Sequence, residues 1–393
     1  MTDTLRKTYV FRLYPTPIQE TALVEVLTIC REVYNSLVNW RKHDFEVKGQ
    51  SPNYYEQKKA LPVWKRARCA SGALVHPELR QIHSQTLQDV VRRVDLAFQA
   101  FFRRVKAGET AGYPRLKGIG QYDSFTFTQG GYAVGTDRLA LFKVGAVKAV
   151  FHRAIKGTVK TLTIRKRGGK WFACFSCEVE AENLPDSAES VGIDVGLMRF
   201  ATLSDGTTVA NPRFFRRDEK ALAKAGRRQA KTKKRSAERR KANKVLSRIH
   251  ERIRNRRHDF VHQLARRLVN HYGTIAVENL NVKGMVKNHC LSKSISDASW
   301  SMFRTVLTQK AESAARQLVA IQPAYTSQDC SDCGFRIRKK LSERVHSCPK
   351  CGLVLDRDHN AALNIIGLGL QTIGSFAQAR TESVEAARFV GAE

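Results

Sequence analysis

Two C-x-x-C knuckles constrain this chain more tightly than any other feature: Cys330-Ser-Asp-Cys333 and Cys348-Pro-Lys-Cys351, separated by fourteen residues. Each knuckle sets two thiolates on one tight turn, and a spacer of that length lets the turns face each other around one tetrahedral Zn²⁺. Two disulfides are the competing assignment. The other five cysteines (Cys30, Cys69, Cys174, Cys177 and Cys290) are scattered, and the N-terminus has no apolar run of signal-peptide type. The chain therefore reads as cytoplasmic, where thiols stay reduced. Four thiolates leave no open coordination position, so the single zinc is expected to be structural, with the ribbon folding as it binds. Catalysis has to come from elsewhere.

The charge points to the partner. Lys+Arg 68 against Asp+Glu 36 gives a net +32, which self-repels in isolation and calls for a polyanion. Nucleic acid fits that need. No eighteen apolar residues run together, so no membrane partner is expected; an anionic membrane surface would require long amphipathic helices with free apolar faces, and the zinc ribbon also argues against it. The 393 residues, 42% hydrophobic, suffice for two or three domains.

Residues 6–13 read as a strand stopped by Pro15 and Pro17. The pattern from Pro17 to Lys106 is helical, divided by Pro52 and Pro62 and closing on an amphipathic helix over 83–106. From Ser124 to Glu180 the chain reads as strands of a small β-barrel or sheet. Within it Cys174 and Cys177 form a third C-x-x-C, but in a strand three residues of separation send them to opposite faces, so they are packed cysteines. A new sheet opens at Val191-Gly192-Ile193-Asp194-Val195-Gly196, with Phe200–Gly206 as hairpin partner. This start resembles the first two strands of an RNase H-like sheet. Residues 213–257 hold twenty Lys/Arg and four acids, half of the net charge, on a helical hairpin with one packed face and one cationic face for a phosphate backbone. Another strand, Thr274–Val277, ends at Glu278. A helix follows over 291–319 with S-I-S-D at its start as a cap, and residues 318–321 offer one more strand.

Asp194, Glu278 and Asp358 stand out because of where they fall: inside an apolar strand, at the end of one, and at the opening of the helix N-A-A-L-N-I-I. Carboxylates so placed are costly to bury without counter-charge. Converging on a sheet edge, they would hold two Mg²⁺ or Mn²⁺ ions about 3.5–4 Å apart for in-line phosphodiester hydrolysis. Any one of them alone is as well explained as a cap or salt-bridge partner. Asp356 rivals Asp358 for the third position but is expected to face the ribbon, and His359 has no assigned role, since two-metal sites need no histidine base.

On these residues the chain resembles the TnpB family, transposon-encoded RNA-guided nucleases related to type V CRISPR effectors. The likeness rests on Arg12-Leu13-Tyr14-Pro15, Gly112-Tyr113-Pro114-Arg115, Gly192–Gly196, Val277-Glu278-Asn279-Leu280, Ser294–Trp300, Tyr325–Gly334 and Asp356–Ile365. It implies an α/β multidomain chain. A β wedge domain (1–16 and 118–186) is interrupted by a helical recognition domain (17–117). A RuvC-like nuclease domain (187–326 and 355–372) is interrupted by a zinc ribbon (327–354), and a loosely ordered tail spans 373–393. It also implies Asp194, Glu278 and Asp358 as catalytic and magnesium-binding residues, and a guide RNA and double-stranded target DNA as partners, with base pairing reading sequence and the protein reading a short motif. Ser84, Gln85, Gln88, Thr128 and Gln129 are then expected at the DNA motif, and Arg227, Arg228, Lys233, Lys234 and Arg235 on nucleic-acid phosphates. The rival readings are an RNA-guided repressor that does not cut, which the intact carboxylates oppose, and a plain structured-RNA binder, which would leave those acids without purpose.

Overall fold

The computed structural model describes residues 4–389 apart from 182 and 341, with side chains of the last helix followed to residue 374. The chain divides into two compact units, Met1–Glu180 and Ala181–Glu393.

In the first unit, strand β1 (Thr4–Tyr14) leads through a capped turn into helix α1 (Pro17–Lys48). The Thr16 hydroxyl accepts from the Gln19 N–H, the Gln19 side chain accepts from the Thr16 N–H, and Pro17 loses no bond at the first helical position. Gly49, at φ 67°, ends the helix in the left-handed conformation. Helices α2 (Tyr54–Arg66) and α3 (Ser84–Lys106) follow. The expected break at Pro62 does not occur: it is exposed and lies inside α2, whose ends are set by the Asn53 capping box and by Ala67.

The remaining strands of the unit are β2 (Ser124–Phe127), β3 (Tyr132–Val134), β4 (Arg138–Leu141), β5 (Gly145–Val150), β6 (Thr158–Arg167) and β7 (Lys170–Glu180). With β1 they form one antiparallel sheet in the order β2-β6-β7-β1-β5-β4-β3. Its two edge strands, β2 and β3, are joined by only residues 128–131. Laid flat, seven strands would hold those edges roughly 29 Å apart, beyond the roughly 18 Å such a link can reach, so the sheet curls back on itself. Along β7 Cys177 is buried with Trp171, Ala173 and Phe175, while Cys174 lies on the other face.

The second unit contains β8 (Ser190–Val195), β9 (Arg199–Leu203), β10 (Thr208–Ala210), helices α4 (Phe214–Ala230) and α5 (Ala237–His271), and β11 (Thr274–Glu278). Helices α6 (Val282–Met285), α7 (Ser292–Ala298) and α8 (Trp300–Glu312) lead to β12 (Gln317–Ile321), and the ribbon strands β13 (Val345–Ser347) and β14 (Val354–Asp356) lead to α9 (Arg357–Phe389). The tail expected at 373–393 falls on α9 as far as Phe389, and residues 390–393 lie outside the described residues. The sheet order is β10-β9-β8-β11-β12; β8, β11 and β12 run parallel, and β9 and β10 antiparallel to their neighbours.

Alternation assigns its two faces. Ile193, Ile275 and Val277 pack with Leu264 and Leu268 of α5 and Phe303 and Leu307 of α8. Gly192 and Ala276 point the other way, toward α9. There only glycine fits: a Cβ on Gly192 would sit 2.1 Å from the Ala362 carbonyl oxygen.

The single helix expected over 291–319 is two, because Ser299 (φ 60°) ends α7 and starts α8. Asp297 does not cap its own helix. Only 6% exposed, it accepts from the backbone N–H groups of Phe215 and Arg216 at the start of α4 (2.9 and 3.3 Å) and from Arg257 of α5 (2.7 Å). One buried carboxylate thus clasps both arms of the basic hairpin, whose α4 has no cap of its own.

Candidate metal centres and nucleic-acid surfaces

The cysteine cluster is built from two matching turns. In each knuckle the first cysteine donates its N–H to a carbonyl five residues on, Phe335 or Leu353, and its own carbonyl accepts from Gly334 or Gly352 (2.9–3.0 Å). Both glycines have positive φ, 72° and 78°, the conformation these turns demand. The four sulfur atoms lie within 4.8 Å of one another, with Cys330–Cys351 at 3.6 Å and Cys333–Cys348 at 3.5 Å. A tetrahedral zinc site with Zn–S near 2.3 Å has edges of about 3.8 Å, so the donor set fits a zinc ribbon. Among the described residues this is the sole group of three or more His, Cys, Asp or Glu side chains drawn together tightly enough to grip one ion.

The three carboxylates are brought together by the fold. Asp194 lies two residues beyond Gly192 and Glu278 two beyond Ala276, so both point to the α9 face, one step past the paired Ile193 and Val277 on adjacent parallel strands. Asp358 precedes Ala362 by one helical turn and shares its face, and Ala362 is the residue pressed against Gly192. Asp356 caps α9: its Oδ1 accepts from the N–H groups of Asp358 (2.9 Å) and His359 (3.3 Å), and Arg199 pairs with its Oδ2 at 3.1 Å. His359 turns away, its Nε2 3.1 Å from the Ser204 carbonyl oxygen.

The electrostatics reflect this convergence. Burial, and then the charges of Glu278 and Asp358, hold Asp194 well above the usual carboxylate range, with Arg357 offsetting only part. Burial also raises Glu278, opposed by the Thr326 hydroxyl, which donates to Oε1 at 2.6 Å. Asp358 has Arg357 at 3.1 Å and Arg344 at 3.7 Å. The oxygen donors of these acids are of the kind that hard divalent cations take and differ from the sulfur set of the ribbon, but among the described residues they do not lie as close together as the four cysteines do.

The polar residues singled out in the first unit fall in two places. Ser84, Gln85 and Gln88 occupy the first two turns of α3, and Thr128 donates to the Gln85 amide oxygen at 2.8 Å, with Gln129 exposed beside it. Ser84 and Gln88 line a hollow of about 610 Å³ whose rim carries Lys58, Lys59, Lys65 and Arg66 of α2, cations that had not stood out in the sequence. In the second unit Arg227 and Arg228 end α4, and Lys233, Lys234 and Arg235 form the hairpin tip, all exposed. Among the described residues no helix is long and apolar enough to cross a membrane.

In fold the chain is similar to the protein of the cryo-EM structure of the Cas12f1–sgRNA–target DNA complex, with a TM-score of 0.59 at 13% identity over 92% of this chain and 98% of that one. Family profiles match residues 174–289 ("Probable transposase", of the IS605 OrfB type), residues 300–365 (the Cas12f1-like TNB domain) and residues 1–50 (a helix-turn-helix domain). Over 4–50 the structure is a strand and one long helix. Two relatives carry the name "Putative RNA-guided DNA endonuclease". One, from Streptomyces pristinaespiralis, is 33% identical over 94% of this chain and 91% of its own length, and InsQ of Escherichia coli K12 is 30% identical over 91% of each. The chain belongs to the TnpB family.

Proposed function

We propose that the chain is an RNA-guided, divalent-metal-dependent DNA endonuclease, encoded by a transposon, that cuts target DNA beside a short transposon-associated motif at a single RuvC-like site. The observation that carries this is the convergence of Asp194, Glu278 and Asp358, from two parallel strands and a crossing helix, on one face of the sheet. The strand order β10-β9-β8-β11-β12, antiparallel on one side and parallel on the other, supports an RNase H-like assignment.

Two Mg²⁺ or Mn²⁺ ions held by these carboxylates would supply an activated water and stabilise the leaving 3′ oxygen. The chain's own residues prepare the site. Thr326 fixes Glu278 by one oxygen, the Asp356 cap orients the start of α9, and Arg357 and Arg344 flank Asp358. The zinc ribbon at 327–354 interrupts the nuclease domain (187–326 and 355–372). The curled sheet (1–16 and 118–186) and helices (17–117) serve as wedge and recognition domains. There Ser84, Gln85, Gln88, Thr128 and Gln129 read the motif while the α2 cations neutralise its phosphates. The exposed hairpin cations neutralise phosphates of the RNA or DNA. A non-cutting repressor would have no use for three half-buried acids gathered on one face of the sheet.

Co-expression with the native flanking locus tests this reading. A single defined RNA ending in flanking-derived sequence should co-purify and direct cutting of a matching duplex. Heterogeneous RNA, or none, would contradict it.

A further inference from the structure

The cysteine ribbon and the carboxylate site are joined by a buried polar strap. Thr326, 4% exposed, lies between β12 and the first knuckle, and its hydroxyl donates to Glu278 Oε1 at 2.6 Å, the length of a charge-assisted bond. Its carbonyl accepts from Asn364 Nδ2 (2.8 Å), which also donates to the Asp329 carbonyl (2.7 Å). Asn360, fully buried one turn earlier on α9, donates to the same Asp329 carbonyl (2.8 Å) and accepts from the N–H of Ser331 (3.0 Å), which sits between the first two cysteines. Helix α9, which opens with Asp358, thus holds the entry to the ribbon at three backbone points, and that entry holds Glu278.

We infer that Thr326 is a positioning residue for divalent-metal binding, through which the folded state of the cysteine ribbon sets the metal affinity of the carboxylate site. The inference rests on the reading of Asp194, Glu278 and Asp358 as a metal site. The hydroxyl holds the Glu278 carboxylate by Oε1 and so fixes the orientation in which it faces the site. Outer-shell partners of this kind change metal affinity by about 10–100-fold when removed.

The test measures Mn²⁺ binding by electron paramagnetic resonance on the purified protein–RNA complex, alongside zinc content and cleavage across a Mg²⁺ titration. Thr326→Val and Thr326→Ala, both lacking the hydroxyl, should weaken Mn²⁺ binding at least tenfold with zinc retained, and cleavage should recover as Mg²⁺ is raised. Thr326→Ser should bind as wild type. A general structural defect would instead lower cleavage at every Mg²⁺ concentration, and that result would overturn the inference. So would unchanged Mn²⁺ binding in the zinc-replete Val and Ala variants while Glu278→Ala lost it. If Glu278→Ala bound Mn²⁺ as wild type does, the metal-site reading itself would fall, and this inference with it.

Discussion

The two candidate metal centres are made in opposite ways. The cysteine cluster draws its ligands from twenty-two consecutive residues, and two repeated turns with a positive-φ glycine bring all four sulfurs within 4.8 Å of one another. The carboxylate site draws on two strands and a helix far apart in sequence, and its geometry comes from strand register and the seating of α9 on Gly192. A local motif carries its own geometry, whereas a dispersed site inherits its geometry from the framework. The first should respond to changes within its own two turns, and the second also to changes in remote residues that never touch a metal.

The largest effect should come from the local centre. Structural zinc contributes on the order of 10 kcal/mol to folding such a ribbon, so Cys330→Ser should lose zinc and leave residues 327–354 open to proteolysis. A zinc-replete, protease-resistant variant would break the assignment.

Next is the framework. Gly192→Ala places a methyl 2.1 Å from the Ala362 carbonyl oxygen, and relieving that clash means moving backbone. The expected cost is about 3 kcal/mol, read as a lowered unfolding midpoint, with cleavage lost while zinc is retained. Cleavage at the wild-type rate would show that the carboxylates do not depend on this contact.

The smallest effect concerns charge. Asp194 has its carboxyl raised in the folded state, so the folded chain holds that proton more tightly than the unfolded chain. The resulting stability is present in acid and is lost as pH rises through the raised value; at neutral pH the ionised group costs stability. In metal-free buffer at pH 8, Asp194→Asn should therefore raise the unfolding midpoint by a few degrees, with the gain vanishing near pH 4. Saturating Mn²⁺ should reverse the order. A destabilised Asn variant at pH 8 without metal would mean that the carboxylate is already compensated by the protein.

Much of this was legible in the sequence where the signal was periodic. The strand about Asp194, the strand ending at Glu278, the amphipathic α3 and the basic hairpin all follow from spacing. What escaped depends on partners remote in sequence. Pro62 was taken as a break, yet the Asn53 cap starts a helix that runs through it. Asp297 looked like the cap of its own helix and instead caps α4, eighty residues earlier. The three-residue strands β10, β13 and β14 carry too few residues for alternation to register. Thr326, Asn360 and Asn364 are ordinary polar residues until the fold shows that they join the ribbon to Glu278.

The central claim, that the converging carboxylates are the cutting site of an RNA-guided nuclease, is met most directly by assaying Glu278→Ala and Asp194→Ala as RNA complexes on one matched DNA duplex for both binding and cleavage. Both variants should bind the duplex as wild type does, with cleavage reduced to background, because each loses a ligand of the two-metal site. Retained cleavage, or loss of RNA-dependent binding in step with cleavage, would contradict it.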